Sequence, residues 1–96
     1  MRTTYLVCYD IADPKRLRRV FQICRNYGTH LQYSVFECDL TLQERVELEH
    51  ELAGEIHHEK DQVLFVDLGP AEGRGKRVIV SLGIPYSKLD APCYVV

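Results

Sequence analysis

The segment Thr4-Tyr-Leu-Val-Cys-Tyr-Asp-Ile11 runs almost directly into Ala12-Asp13-Pro14, and this junction constrains the chain more than any other feature. Its aromatic and β-branched residues predict a strand ending near Asp10. The Asp13-Pro14 pair predicts a helix start. A carboxylate there accepts from the first unpaired backbone N–H groups, and proline lacks a donor that would find no partner in that position. Leu17, Val20, Phe21, Cys24 and Tyr27 then share one helical face, and Gly28 supplies a stop. Lys15, Arg16, Arg18, Arg19 and Arg25 fall mostly off that stripe, so the helix is apolar beneath and basic outside. A strand and an amphipathic helix this close in sequence must bury their apolar sides in one layered core.

The rest of the chain adds more short elements. Leu31-Gln-Tyr-Ser-Val-Phe-Glu-Cys38 reads as a second strand, with Gln32, Ser34, Phe36 and Cys38 on one face and Leu31, Tyr33, Val35 and Glu37 on the other. Thr41-Leu-Gln-Glu44 is a capping-box pattern opening a second helix to about residue 56, with Leu42, Val46, Leu52, Ala53 and Ile56 as its apolar stripe and an acidic opposite face. Asp61 to Leu68 is a third strand, Gly69 to Gly75 a glycine-rich loop, Arg77 to Leu82 a fourth strand, and Pro92 to Val96 an apolar, extended tail. The expected class is α+β: a ferredoxin-like two-layer sandwich, an antiparallel sheet with two helices on one face. That pattern needs a strand between the first hairpin strand and the second helix. The segment after the glycine-rich loop is the available substitute, and the strand order stays open.

At 96 residues the chain is expected to form a single domain spanning residues 1–96. Its longest apolar run is five residues, Tyr5 to Tyr9, where a membrane-spanning helix needs about 20. No membrane association is expected. The first residues show no leader pattern, so the cytoplasm is the expected compartment. Cys8, Cys24, Cys38 and Cys93 lie far apart without zinc or redox spacing, and read as reduced packing residues.

The net charge of −2 conceals a segregation. Residues 1–36 carry six basic and two acidic side chains, residues 37–72 two and eleven, and residues 73–96 four and one. A basic surface where the two ends meet would attract a phosphate backbone, and a solvated charged face is the plainer alternative. Asp10 is the carboxylate to weigh. At a strand end it is solvated, capping a helix, or aimed at a metal ion, and Asp13 is the better cap. His30, His50, His57 and His58 form no recognisable site, and no nucleotide-binding or zinc-protease motif is present.

Tyr5-Leu-Val-Cys-Tyr-Asp-Ile-Ala-Asp13, Lys15-Arg16, Gly28, Gln32-Tyr-Ser-Val-Phe-Glu37 and Asp61-Gln-Val-Leu-Phe-Val-Asp-Leu68 occur in an order that resembles the small nuclease-like family of CRISPR adaptation proteins. The resemblance covers essentially the whole chain. It implies a ferredoxin-like subunit and a two-fold homodimer whose sheets face each other, with the C-terminal segment 84–96 reaching onto the partner's sheet. It further implies that Asp10 is a catalytic, metal-binding aspartate, and that Asp10 from two subunits would share Mg²⁺ for hydrolysis of RNA or DNA phosphodiesters. Equally it implies a noncatalytic dimeric scaffold that holds DNA and the CRISPR integrase during spacer acquisition. Candidate phosphate contacts are Lys15, Arg16, Arg18, Arg19, Arg25 and Arg77. Tyr9, Ser34 and Phe36 lie in the resembling motifs as site support. Each has a plainer role: packing for Tyr9, a satisfied strand hydroxyl for Ser34, and core or dimer interface for Phe36.

Overall fold

A computed structural model describes residues 1–72 and 80–84. In chain order it contains β1 (Thr3–Asp10), α1 (Pro14–Arg25), β2 (Thr29–Gln32), β3 (Val35–Leu40), α2 (Leu42–Glu55) and β4 (Gln62–Pro70). The strands form one antiparallel sheet in the order β2-β3-β1-β4, and both helices pack on the same face. This is the ferredoxin-like α+β arrangement expected from the sequence.

The helix starts follow the local chemistry. The Asp13 carboxylate accepts from the backbone N–H groups of Lys15 and Arg16, both at 3.0 Å, with Pro14 opening the helix. At α2, Thr41 and Glu44 exchange hydrogen bonds in a complete capping box. Gly28 closes the loop after α1 because the backbone must pass close to β3. A Cβ at this position would lie 2.3 Å from Cys38 Sγ and 2.5 Å from the Glu37 carbonyl oxygen, so a larger residue would force the helix off the sheet.

Two expectations need correction. The segment expected as a single second strand is a hairpin: Gln32 pairs with Val35, and Tyr33 and Ser34 reverse the chain between β2 and β3. Ser34 is therefore a turn residue and does not share a strand face with Phe36. A two-residue turn sets Gln32 and Val35 on the same face and by itself would reverse the alternation of side chains; a register shift between His30 and Gln32 restores it, so His30 and Phe36 pair directly. The order is βαββαβ, and no strand beyond the glycine-rich loop is needed to complete the sheet. Of the fourth strand expected over residues 77–82, residues 77–79 lie outside the described residues and residues 80–82 are not in a strand. The second correction concerns α2. Leu48 and Leu52 are its buried residues, whereas Leu42 and Val46 are 70% and 51% exposed. The inward stripe is thus Leu48, Leu52 and Ile56, set by the sheet beneath rather than by the first apolar residues of the helix.

The core lies between sheet and helices: Val7, Tyr9, Phe36, Cys38 and Leu40 from the strands meet Val20, Phe21, Cys24, Leu48 and Leu52. Cys24 and Cys38 are free and buried, and burial pushes both thiols up to about 12, as befits packing residues. The opposite face of the sheet carries Leu6, Cys8, Val35, Leu64 and Val66, and among the described residues no helix covers it. Among the described residues no helix is long and apolar enough to cross a membrane.

Candidate nucleic-acid interface and carboxylate site

Asp10 is the last residue of β1, paired with Gln62 of β4, and it is exposed. The hairpin turn lies beside it, because the Tyr9 N–H donates to the Ser34 carbonyl at 3.0 Å. Together Tyr9, Asp10, Ile11, Leu17, Tyr33 and Ser34 line a cleft of about 270 Å³ at this end of the sheet. Strand alternation sends the neighbouring side chains apart. Tyr9 points into the helix layer, where its ring stacks on Phe36 with centroids 6.3 Å apart. Its buried hydroxyl has no hydrogen-bond partner among the described residues, and burial, then the nearby Cys24, pushes the phenol far above its ordinary pKa. Phe36 is fully buried against Phe21, His30 and Tyr9. Tyr9 and Phe36 therefore build the wall behind the site, and Asp10 and Ser34 are the polar residues lining the cleft.

The basic residues divide by what they touch. Arg16 is committed to Asp61: its Nε donates to Oδ2 at 2.7 Å and its Nη2 to Oδ1 at 3.1 Å, a two-pronged pairing. The Asp61 carboxylate, with no exposed surface, also accepts from the Ala12 N–H at 2.9 Å and the His57 N–H at 2.8 Å. Four donors on one carboxylate tie the loop after β1 to the loop before β4. The Arg16 hydrogen bond first, with the two backbone N–H groups, holds the Asp61 carboxyl far below its ordinary range. Sequence reasoning missed this latch. Its partners are 45 residues apart, and Asp61 reads only as the start of a strand.

Lys15 and Arg18 are exposed on the first turns of α1. Arg19, whose side chain is 60% exposed, stands 3.7 Å from Glu55, a contact weak enough to be exchanged for a phosphate. Arg25 sits in the last turn of α1, away from the cleft. Arg77, with Arg74 and Lys76, lies outside the described residues. Glu47, Glu49 and Glu51 line the exposed side of α2, whose single arginine, Arg45, is paired with Glu49 at 2.8 Å. Basic and acidic surfaces thus belong to different helices.

This geometry meets an independent comparison. The family model described as "CRISPR associated protein Cas2" matches residues 2–74. The chain belongs to the Cas2 family. A Rhodospirillum rubrum protein named "CRISPR-associated endoribonuclease Cas2 1" is 42% identical over 92 residues, which cover 96% of this chain and 89% of that one. The crystal structure of Streptococcus pyogenes Cas2 superposes with a TM-score of 0.67 at 36% identity, over 80% of this chain and 99% of that one. A hypothetical protein of Thermus thermophilus shares the fold, with a TM-score of 0.75 at 23% identity over 91% of this chain and 100% of its own. The β1 end with Asp10, basic α1 and the turn motif all fall within the matched residues.

The donor set at Asp10 bears on a metal ion. Among the described residues no three His, Cys, Asp or Glu side chains converge as a metal-binding group. Of the described residues lining the cleft, Asp10 alone offers an exposed carboxylate. Mg²⁺ commonly takes one or two carboxylates, completing its shell with water and phosphate, so Asp10 suits a contributing ligand rather than a whole site.

Proposed function

We propose that this Cas2-family chain acts as a dimeric scaffold in CRISPR adaptation, holding DNA across its basic helices while the CRISPR integrase acts on it. The apolar face of the sheet, which no helix among the described residues covers, carries this reading. Leu64 and Val66 are 49% and 41% exposed beside Leu6, Cys8 and Val35, a patch that a small domain stabilises by covering it. A second copy laid face to face would bury it and place two α1 helices on one assembly, doubling the basic surface that Lys15, Arg18 and Arg19 present. Among the described residues no base-reading constellation accompanies these side chains, so binding would follow backbone charge rather than sequence. The acidic α2 surface would face away from the phosphates. The C-terminal segment assigned to the partner's sheet lies, beyond Ile84, outside the described residues.

Sedimentation or light scattering on the purified chain tests the dimer, with Leu64→Lys/Val66→Lys as the disrupting variant. A two-subunit mass that falls to one subunit in the variant is expected. A single-subunit mass for the unaltered chain would overturn the reading.

A second reading, hydrolysis of RNA or DNA, is favoured by the position of Asp10 at a cleft that Leu17 of the basic helix α1 also lines, and it accords with the name of the Rhodospirillum rubrum relative. Two Asp10 carboxylates brought together by two-fold symmetry would hold Mg²⁺, with Lys15 and Arg18 orienting the phosphate. When bound, the ion supplies charge stabilisation and an activated water. Asp10→Ala is then expected to abolish Mg²⁺-dependent cleavage and leave the dimer intact, because it removes little buried surface. Equal cleavage by both proteins, each purified to homogeneity, would exclude this role.

A further inference from the structure

The turn between β2 and β3 holds an aromatic ring where backbone chemistry argues against one. Tyr33 is 71% exposed, and among the described residues it is the one non-glycine with a positive φ, +22°. It is the first of two central residues in a two-residue hairpin, a position where positive φ ordinarily selects glycine, asparagine or aspartate. A Cβ there crowds the adjoining carbonyl, and the exposed ring recovers little of that cost by packing.

The backbone beneath the ring is nevertheless held firmly. His30 Nε2 lies 2.8 Å from the Tyr33 carbonyl oxygen, which can only accept, so that nitrogen carries the proton. The His30 ring is in turn wedged against Phe21 and Phe36, each with centroids 5.0 Å away. On the other side of the turn the Ser34 carbonyl accepts from Tyr9. An unfavourable conformation fixed by buried neighbours, presenting a large flat side chain to solvent, is the kind of strain that marks a contact surface. The ring also borders the Asp10 cleft, which Leu17 lines as well, and Leu17 stands between Arg16 and Arg18 in the sequence of α1.

We propose that Tyr33 is a stacking platform for an unpaired nucleobase of a strand whose phosphates lie along the start of α1. The assignment rests on the nucleic-acid reading above and extends it. Lys15 and Arg18 supply attraction to the backbone, and Tyr33 supplies a face to which any base can stack. Stacking of this kind is tolerant of sequence, in keeping with a site that shows no base-reading side chains among the described residues. In an intact duplex the bases already stack on one another. The ring therefore acts only on a single strand or a splayed end, and it gives the protein a preference for such ends.

The test uses the purified full chain and fluorescence anisotropy with a labelled single-stranded oligodeoxynucleotide and the matching blunt duplex. Tyr33→Gly deletes the ring and accepts the positive φ without strain, so its unfolding midpoint is expected to equal or exceed that of the unaltered chain. Its affinity for the single strand is expected to fall about 5- to 100-fold, with the loss confined to that probe. Tyr33→Phe, which keeps the ring face and drops the hydroxyl, is expected to recover most of the loss. Equal single-strand affinity for Tyr33→Gly and the unaltered chain would overturn the proposal. So would parallel losses on both probes. Lys15→Glu/Arg18→Glu separates the two levels of the inference. If it weakens binding while Tyr33→Gly does not, only the stacking assignment falls; if neither variant has any effect, the nucleic-acid reading falls and takes the assignment with it.

Discussion

The two helices occupy the same layer, cover the same sheet and begin with comparably well-made caps, yet they present opposite surfaces to solvent. On α1 the outward residues are Lys15, Arg18 and Arg19; on α2 they include Glu47, Glu49 and Glu51. The inward faces are alike in chemistry, Val20, Phe21 and Cys24 against Leu48 and Leu52. Packing therefore asks the same thing of both helices, and charge distinguishes them. Since long-range attraction to a phosphate backbone depends on outward charge, the fold can present one helix to nucleic acid and turn the other from it without altering its core.

If the inward faces are equivalent, truncating either should cost far more than truncating an exposed apolar residue of the same helix. Leu48→Ala is expected to destabilise by about 2–5 kcal/mol, whereas Val46→Ala stays within about 0.5 kcal/mol, both read by urea denaturation. Comparable losses would mean that α2 turns a different face to the sheet. The outward faces are contrasted next by charge reversal. Lys15→Glu/Arg18→Glu/Arg19→Glu is expected to lower the slope of log affinity against log salt by up to about 3, while Glu47→Gln/Glu51→Gln leaves that slope unchanged. An equal change from both would erase the distinction between the helices. A smaller effect comes from the α2 cap: Thr41→Ala is expected to cost about 1 kcal/mol because Thr41 satisfies the Glu44 N–H.

The subtlest contrast is with pH, at the latch that anchors α1. Asp61 is an acid whose folded-state pKa is depressed, so the stability it contributes is fully present above its unfolded value near 4 and disappears as pH falls through the lower folded value. Acid titration of the unfolding midpoint should therefore show a fall below about pH 4 that is shallower in Asp61→Asn. Parallel curves for the two proteins would show that the latch does not govern acid sensitivity.

Much of this layout was legible in the residues. Asp13-Pro14 and Thr41-x-x-Glu44 mark both helix starts because capping is local chemistry, decided within one turn. The β2–β3 turn was not, because its bend is made by Tyr33-Ser34 rather than by glycine, proline, asparagine or aspartate, and because the register shift between His30 and Gln32 offsets the turn's change of face and leaves His30 and Phe36 in the alternation of a continuous strand. The apolar stripe of α2 was misplaced since Leu42 and Val46 match helical spacing as well as Leu48 does, and only the position of the sheet decides between them. At the candidate site, Asp10 and the basic start of α1 were visible. The diversion of Arg16 to Asp61 was not, because no local pattern joins residues on two distant loops.

In the proposed scaffold role this chain serves adaptation by holding nucleic acid rather than by cutting it. Integration of a short DNA into a repeat array, reconstituted with a purified CRISPR integrase, tests this most directly when the chain carries Asp10→Ala. Retained integration at the level of the unaltered chain is the predicted result; loss of integration by a variant that still forms the dimer and still binds DNA would contradict it.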